Sequence, residues 1–426
     1  MRKVLMIAHQ FPPVGGSGVQ RSAKFAKYLP QFGWEPVVIT RDTSKMTLRD
    51  DSLLKDIPEG TEIIRTPAYD LTVWPSVFNK VGKFIAWRLL IPDGEVLWMK
   101  KALPRAIERL EKGDIDAVYS TSSPYSAHLL GLGLKRRFPY IPWVADFRDE
   151  WTNNPYFLDN PHRPSRAKKE KAMEREVLIT ADALIANTPV MKANFVRLNP
   201  DLDLERRMSV IPNGFDPDDF ENLGAKSRKN DKFTVTYTGA LYGRRKPDKI
   251  IEAVGELARS GRVDRDKICL RFIGSFKKDI LQGLITRNGL EGAADLINYM
   301  EHEKCLLEMV NSDALLLIEG GGPGSEAFYT GKIFEYIQTS NPILAVIPEN
   351  GAAADIIRRT RTGIVCHWED KKKIQEGFLS LYDAWLKGEN IINPDYEEIS
   401  RFDRRNLAES LAKLLNSIRE EKHEDN

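Results

Sequence analysis

Short apolar runs that alternate with amphipathic helical segments constrain the fold of this chain most strongly. A first series is predicted as strands at 4–8, 36–40, 117–120, 143–145, 183–186 and 208–211. A second series follows at 234–237, 267–273, 314–318 and 343–347. Strands that alternate with helices form parallel sheets covered by helices on both faces. The pattern therefore predicts an α/β fold with two doubly wound domains that face each other across a cleft.

The length of the chain agrees with two domains, because 426 residues exceed what one ordinary core accommodates. The stretch IPNGFDPDDF at 211–220 concentrates Pro, Asn-Gly and Asp-Pro, which interrupt strands and helices. We therefore expect a first domain at 1–212 and a second domain at 213–396. The closing segment places leucines on one helical face and is predicted as a helix over 397–420.

Composition excludes several classes of protein. The formal net charge is +2, from 63 basic and 61 acidic residues, so no overall field favours a nucleic-acid partner. The three cysteines stand far apart and form no CxxC pair, which indicates a reducing compartment. The apolar run in MRKVLMIA is too short for a signal peptide or a membrane span. These features predict a cytoplasmic protein.

The sequence GGSG at 15–18 lies between the first strand and a helical segment. In this order of elements, Gly15, Gly16 and Gly18 let backbone amides approach an anion at a helix N-terminus. The loop is neither a GxGxxG fingerprint nor a P-loop, since no Gly-Lys-Ser/Thr follows. Arg21, in the following helix, is a further candidate. A tight turn without a ligand is the alternative interpretation.

Polar residues also follow two other strands of the first series. The stretch WVADFRDEW at 143–151 places Asp146, Arg148 and Asp149 at a strand end, where they could orient or deprotonate a hydroxyl group. His128 closes a hydroxyl-rich stretch after the preceding strand. We expect these residues on the acceptor side of a site. The alternatives are a salt-bridged turn and serines that cap a helix.

The second series carries consecutive cations after its first strand. In TVTYTGALYGRRKPDKIIEAV, Arg244, Arg245 and Lys246 follow a glycine turn and could clamp a diphosphate. A solvated basic turn is the alternative. Gly274 lies in the small-residue turn of LRFIGSF, which is suited to closing over a base or a ribose.

The stretch LLLIEGGGPGSEAFYTGKIFEYIQTSNPILAVI at 315–347 is the most informative one. A buried strand enters a glycine-rich loop that includes Gly322, and a helix follows with Lys332 in its first turn. A helix start that carries a lysine is an anion site that needs no metal. Glu335, one turn later, could accept hydrogen bonds from ribose hydroxyls or could only complement the helix dipole.

Five of these segments, in their order along the chain, resemble glycosyltransferase family 4. They are FPPVGGSGVQRSAKFAKYL, DFRDEW, VIPNGFD, YTGALYGRRKPDKIIEA and TGKIFEYIQTSNPIL. The resemblance implies the GT-B fold of two Rossmann-like domains. It also implies retaining transfer from a nucleotide sugar, here a UDP- or GDP-sugar, with neither cofactor nor metal. The second domain would bind the nucleotide and the first would face a glycan or lipid-linked acceptor, while the helix over 397–420 would cross back to the first domain.

The resemblance also assigns roles to single residues. Gly16 corresponds to the loop residue near the phosphates of the sugar donor, and Asp146 stands near the position where many members have a histidine. Arg244 or Arg245 together with Lys246 or Lys332 corresponds to the diphosphate clamp. We therefore expect Asp146, Arg245 and Lys332 to be catalytic.

The chain departs from the family in its Glu-x7-Glu pattern. Glu335 corresponds to the second acid, which binds ribose. The first acid would fall at Ala327, and either Glu326 or Glu319 could take its place. With Glu326 included, the predicted donor-binding set is Gly15, Gly16, Gly18, Arg244, Lys246, Gly274, Gly322, Glu326 and Glu335.

The segment at 71–103 contains Trp74, Trp87 and Trp98 with basic residues between them. It is predicted either as a helix that contacts the cytosolic, inner face of a membrane or as a helix that covers a core. Other functions also remain open at this stage. They are a nucleotide-sugar epimerase with a similar two-domain fold, a non-catalytic nucleotide-binding relative and, less well supported, a dehydrogenase. No GxSxG or HExxH motif indicates a hydrolase or a metal site.

Overall fold

The computed structural model of the protein describes residues 1–44, 49–68, 90–221, 223 and 230–424. The chain divides into two compact units. The first comprises Met1–Asn213 together with Arg404–Asn426, and the second comprises Gly214–Asp403. The sequence predicts a domain border after residue 212, and the first unit ends one residue later, at Asn213. The segment 397–420 was expected to return to the first domain. Its residues up to Asp403 belong to the second unit, and those from Arg404 belong to the first.

The first unit is built on a seven-stranded sheet in which all neighbouring strands run parallel. Its strands are β1 (Arg2–Ile7), β2 (Trp34–Arg41), β3 (Glu62–Thr66), β4 (Ala117–Ser122), β5 (Trp143–Phe147), β6 (Ala183–Ala186) and β7 (Met208–Val210). Their order in the sheet is β3-β2-β1-β4-β5-β6-β7. The helices between them are α1 (Ser17–Tyr28), α2 (Val96–Leu110), α3 (Ser126–Arg137), α4 (Pro155–Asp159), α5 (Pro164–Thr180), α6 (Pro189–Leu198) and α7 (Leu204–Arg207).

The second unit repeats this plan with a six-stranded parallel sheet. Its strands are β8 (Phe233–Thr238), β9 (Ile268–Ile273), β10 (Ala294–Ile297), β11 (Ala314–Ile318), β12 (Ile343–Ile347) and β13 (Gly363–His367). Their order is β10-β9-β8-β11-β12-β13. The helices are α8 (Asp248–Arg259), α9 (Lys278–Arg287), α10 (His302–Val310), α11 (Lys332–Gln338), α12 (Ala352–Thr360), α13 (Lys371–Lys387) and α14 (Tyr396–Ser400).

The last helix, α15 (Arg404–Glu424), belongs to the first unit. Leu411 and Leu415 on one of its faces are fully buried in the same apolar cluster as Phe25 of α1. Asn416 accepts hydrogen bonds from the side chain of Trp34, at 3.0 Å, and from Arg2. Helices α15 and α1 therefore contribute to the same apolar core of the first unit.

The predicted fold class, two doubly wound parallel sheets covered by helices, is confirmed. The strand order reverses between β1 and β4 in the first sheet and between β8 and β11 in the second. Ligands of open parallel sheets bind beside the carboxyl ends of the strands at such reversals. The fold therefore predicts ligand-binding residues at these two reversals.

The tryptophan-rich segment is described only in part. Trp74 and Trp87 lie outside the described residues. Trp98, in α2, is buried and donates a hydrogen bond to Thr66 at 2.8 Å, so it covers the core. Among the described helices, none combines the length and the apolar character that crossing a membrane requires.

Candidate functional site

The glycine loop of the first unit leads directly into α1. Gly16 has φ +101°, in the left-handed region that glycine adopts without steric cost, and Gly15 is buried. A Cβ on Gly18 would collide with the side-chain oxygen of Gln10. Gln10 is exposed and its side chain can move aside, so the backbone conformation requires glycine only at Gly16, which directly precedes the twelve-residue helix.

Arg148 connects this loop to the end of β4. Its guanidinium donates hydrogen bonds to the backbone carbonyls of Gly18, Ser122 and Ser123, the last at 2.8 Å. Burial lowers the pKa of Arg148 from its ordinary value. Asp149 accepts a long hydrogen bond of 3.4 Å from Ser123. The structure thus brings together Gly18, predicted to bind the sugar donor, and two residues predicted for the acceptor side.

Asp146 does not face solvent as the acceptor role requires. The residue is fully buried, and its oxygens accept two hydrogen bonds from Arg21, at 2.7 and 2.9 Å. Tyr119 and Thr121, on the neighbouring strand β4, also donate to one of these oxygens. The carboxylate therefore holds groups of the protein itself, and contact with an acceptor hydroxyl would require this network to open.

The Arg21–Asp146 pair also fixes the end of the first unit. Arg21 donates to the carbonyls of Ile211, at 2.9 Å, and Pro212, at 2.6 Å. Burial, the largest single effect, would raise the pKa of Asp146, but the charge of Arg21 and the hydrogen bonds from Arg21 and Tyr119 together lower it. The pKa of Arg21 is raised because the interactions with Asp146 and Tyr119 together exceed the effect of burial. Both groups are therefore charged, and α1, β5 and the segment before Gly214 are held at one point.

His128 lies in the core of the first unit. The residue is fully buried, its Nδ1 is 2.9 Å from the hydroxyl oxygen of Ser120, and its ring packs on Phe147. Burial lowers its pKa to about 3, so the imidazole is neutral. Because the ring has no exposed surface, it could contact an acceptor only if the surrounding core opened, and its acceptor-side role stays a prediction.

The second unit gathers charged side chains at the reversal between β8 and β11. Arg245 donates through Nε to both oxygens of Glu319, at 3.1 and 3.3 Å, and both side chains are nearly buried. The Arg245 guanidinium also lies over the rings of Tyr242 and Phe328. Burial raises the pKa of Glu319 although Arg245 and Lys332 both favour its carboxylate form. Of the two acids considered for the first position of the family pattern, Glu319 is therefore the one that joins the cations.

Lys332 directs its amine into this cluster. Its Nζ lies 3.8 Å from the centre of the Tyr237 ring, and within the described residues it has no hydrogen-bond partner. Burial, followed by the charge of Arg245, lowers its pKa to about 7. A buried amine without an acceptor costs free energy that an anionic ligand would recover. Arg245 and the protonated form of Lys332 place positive charge beside the Glu319 carboxylate, and the Glu335 carboxylate also acts on the Lys332 amine.

Glycines bring three loops close to the cluster. A Cβ on Gly322 would lie 2.8 Å from the guanidinium carbon of Arg244, which itself donates to the Pro323 carbonyl. Gly274 has φ +139°, and a Cβ there would collide with the carbonyl of Gly239. Gly239 in turn would place a Cβ 3.1 Å from the Lys332 amine. The loops after β8 and β9 therefore meet backbone to backbone, whereas Gly322 in the loop after β11 leaves room for the Arg244 guanidinium.

The remaining predicted residues of this unit differ in position. Glu335 accepts a hydrogen bond from Nε2 of His302 at 2.7 Å, and both side chains are 22% exposed. Lys246 and Glu326 are exposed. Glu326 lies in a short 3-10 helix (Ser325–Ala327) and is not part of the Arg245–Glu319 pair. The sequence did not predict His302 or Tyr237, and it left Arg21 as a candidate without a role. None of the three lies in a sequence motif that marks its partners.

One family model matches part of the chain. Residues 16–219 match the model of Glycosyltransferase Family 4. The match begins within the glycine loop and covers the first unit from α1 to β7, without β1 and α15. A sequence search of curated proteins finds no match.

Solved structures resemble the chain over nearly its whole length. Sucrose-phosphate synthase from Thermosynechococcus elongatus has a TM-score of 0.66 at 14% identity, and the alignment covers 98% of this chain and 99% of that one. Anabaena HepE in complex with UDP and glucose has a TM-score of 0.65 at 14% identity, with coverage of 98% and 100%. WaaG, a glycosyltransferase involved in lipopolysaccharide biosynthesis, has a TM-score of 0.56 at 16% identity, with coverage of 98% of each chain.

These likenesses establish the fold as that of GT-B glycosyltransferases. The family match and the fold together support a glycosyltransferase enzyme, as the sequence predicted.

Proposed function

We propose that the protein transfers a sugar from a nucleotide sugar to a hydroxyl group of a glycan or lipid-linked acceptor. The observation that carries this proposal is the buried amine of Lys332, which lies beside Arg245 at the strand reversal of the second unit and has no hydrogen-bond partner among the described residues. The family match over residues 16–219 and the fold support it. So does the crystallised complex of a structural relative with UDP and glucose.

In the proposed mechanism, the bond between the anomeric carbon and the β-phosphate oxygen breaks while the acceptor oxygen forms the new bond. Negative charge grows on the departing nucleoside diphosphate. Lys332 and Arg245 stabilise this charge, and Glu319 holds the Arg245 guanidinium in position. We propose that the acceptor proton passes to the leaving phosphate, that the anomeric configuration is retained, and that no divalent metal is needed because these cations supply the positive charge.

We propose that the first unit contacts the donor phosphates through its glycine loop and the acceptor through residues near Arg148 and Asp149. Asp146 then acts as a positioning residue, since its carboxylate holds Arg21 and β4. The scattered cysteines support a cytoplasmic location. If the acceptor is lipid-linked, we propose that the protein lies at the inner membrane surface, where such an acceptor is held.

A panel of nucleotides and nucleotide sugars tests the proposal. The full chain is heated with each compound, since a ligand that binds the native state at about a hundred times its Kd stabilises it by about 2.7 kcal/mol. The sugar donor that raises the melting temperature is then incubated with glycan and lipid-linked acceptors, with and without EDTA. We expect a glycoside of retained configuration in both incubations. An epimerised donor without transfer, or binding of no nucleotide, contradicts the proposal.

A further inference from the structure

Glu335, which is predicted to bind ribose, forms a hydrogen-bonded pair with His302, a residue outside the predicted site. His302 begins α10 and Glu335 lies in α11, 33 residues further along the chain, yet Nε2 of His302 is 2.7 Å from Oε1 of Glu335. Within the described residues, no other side chain hydrogen-bonds this carboxylate. Because a carboxylate has two oxygens and His302 occupies one, the other remains for a ligand.

The position of this pair relative to Lys332 indicates the ligand. Lys332 and Glu335 are three residues apart in α11 and therefore lie on the same helical face, about 4.5 Å apart along the helix axis. An anion beside Lys332 and a hydroxyl-bearing group beside Glu335 would then belong to one molecule. A nucleoside diphosphate has this arrangement, with the diphosphate on the 5′ carbon and two hydroxyls across the ribose.

We propose that His302 is a positioning residue for nucleotide recognition, a role that rests on the proposed function. It donates Nε2–H to Oε1 of Glu335 and fixes the carboxylate, so that the other oxygen accepts hydrogen bonds from the ribose hydroxyls. Without this hydrogen bond the Glu335 side chain rotates among several conformations, and a polar contact with the hydroxyls is made only part of the time. His302 thereby sets the preference for ribonucleotides over deoxyribonucleotides.

The test compares binding of ribonucleoside diphosphates with that of their 2′-deoxy and 3′-deoxy forms. Calorimetry on the full chain uses UDP and GDP, and the variants are His302→Ala, His302→Gln and Glu335→Gln. For the base that binds, we expect the wild type to prefer the ribonucleotide over at least one deoxy form by about tenfold, the effect of one hydrogen bond to a charged group. We expect His302→Ala and Glu335→Gln to lose most of this preference, with affinity for that deoxy form nearly unchanged.

The variants separate positioning from a purely structural role. His302→Gln keeps a donor near the place of Nε2 and should restore most of the preference, while the double variant His302→Ala with Glu335→Gln should discriminate no less than Glu335→Gln alone. A His302→Ala protein that keeps the full preference, or that loses affinity equally for both sugars, overturns the inference and leaves the proposed function standing. Binding of no nucleotide by the wild type overturns both.

Discussion

Arg21 and Asp146 show how a single buried ion pair organises the first unit. Arg21 is 1% exposed and Asp146 is fully buried, so both charges were removed from water on folding. The attraction between the two charges offsets the free energy of their desolvation. Removal of one partner therefore leaves the other charge buried and uncompensated. We therefore expect the main contribution of this pair to be to the free energy of unfolding rather than to the transfer reaction.

Replacement of Asp146 by asparagine should destabilise the first unit by about 3 kcal/mol, because Arg21 would remain buried without a countercharge. Such a loss lowers the melting temperature by roughly 6 °C or more in a unit of this size. Asp203→Asn is the matched control, since Asp203 pairs with Arg206 at the exposed surface and such pairs contribute little. Equal melting temperatures of the two variants would show that the buried pair does not stabilise the unit.

The roles of single residues were predictable from the sequence only where a local pattern marks them. Arg245 and Lys332 stand beside glycine turns after apolar runs, so their place at strand ends could be foreseen. The pairing of Arg245 with Glu319 and of Glu335 with His302 joins positions 74 and 33 residues apart, which no local pattern encodes. The burial of Asp146 was hidden for the same reason, because it depends on α1 and β4.

Strands at the centre of each sheet were easier to predict than strands at the edges. The apolar runs of β6, β11 and β12 were placed at their observed bounds, while β3, β10 and β13 were missed. The fourth edge strand, β7, was predicted at 208–211, and the three missed strands are the other edge strands. Their residues are largely half-buried or exposed, as in EIIRT and ADLI, and therefore lack the continuous apolar run of a strand covered on both faces.

Among the loops, the turn after β9 depends most on the absence of a side chain. Gly274 has φ +139°, and a Cβ there would meet the Gly239 backbone, which cannot move as the end of a flexible side chain can. We expect Gly274→Ala to destabilise the second unit by at least about 2 kcal/mol and to weaken nucleotide binding, because Gly239 borders Lys332.

Gly283, in α9 of the same unit, provides the control for this substitution. A Cβ on Gly283 meets no atom within 4 Å, so Gly283→Ala should be neutral or should stabilise the helix by up to about 1 kcal/mol. Denaturant unfolding monitored by circular dichroism measures both. If Gly274→Ala unfolds at the same denaturant concentration as Gly283→Ala, the contact between the β8 and β9 turns is not the constraint described above.

At the scale of the whole molecule, one strand order occurs twice, with α15 returning to the first unit. The alternating pattern of runs and helices allowed this plan to be predicted, because it is encoded along the entire length of the chain. The proposed function requires that the second unit bind the nucleotide diphosphate through the cations at its strand reversal, and every later step of the transfer depends on that binding.

Calorimetric binding of the preferred nucleoside diphosphate to the full chain and to Lys332→Ala tests this requirement most directly. Lys372→Ala is the control, since Lys372 is 86% exposed on α13. We predict that Lys332→Ala raises the Kd at least about tenfold, through loss of a charge-assisted contact, and that Lys372→Ala leaves it unchanged. Equal dissociation constants for the wild type and Lys332→Ala would contradict the central claim.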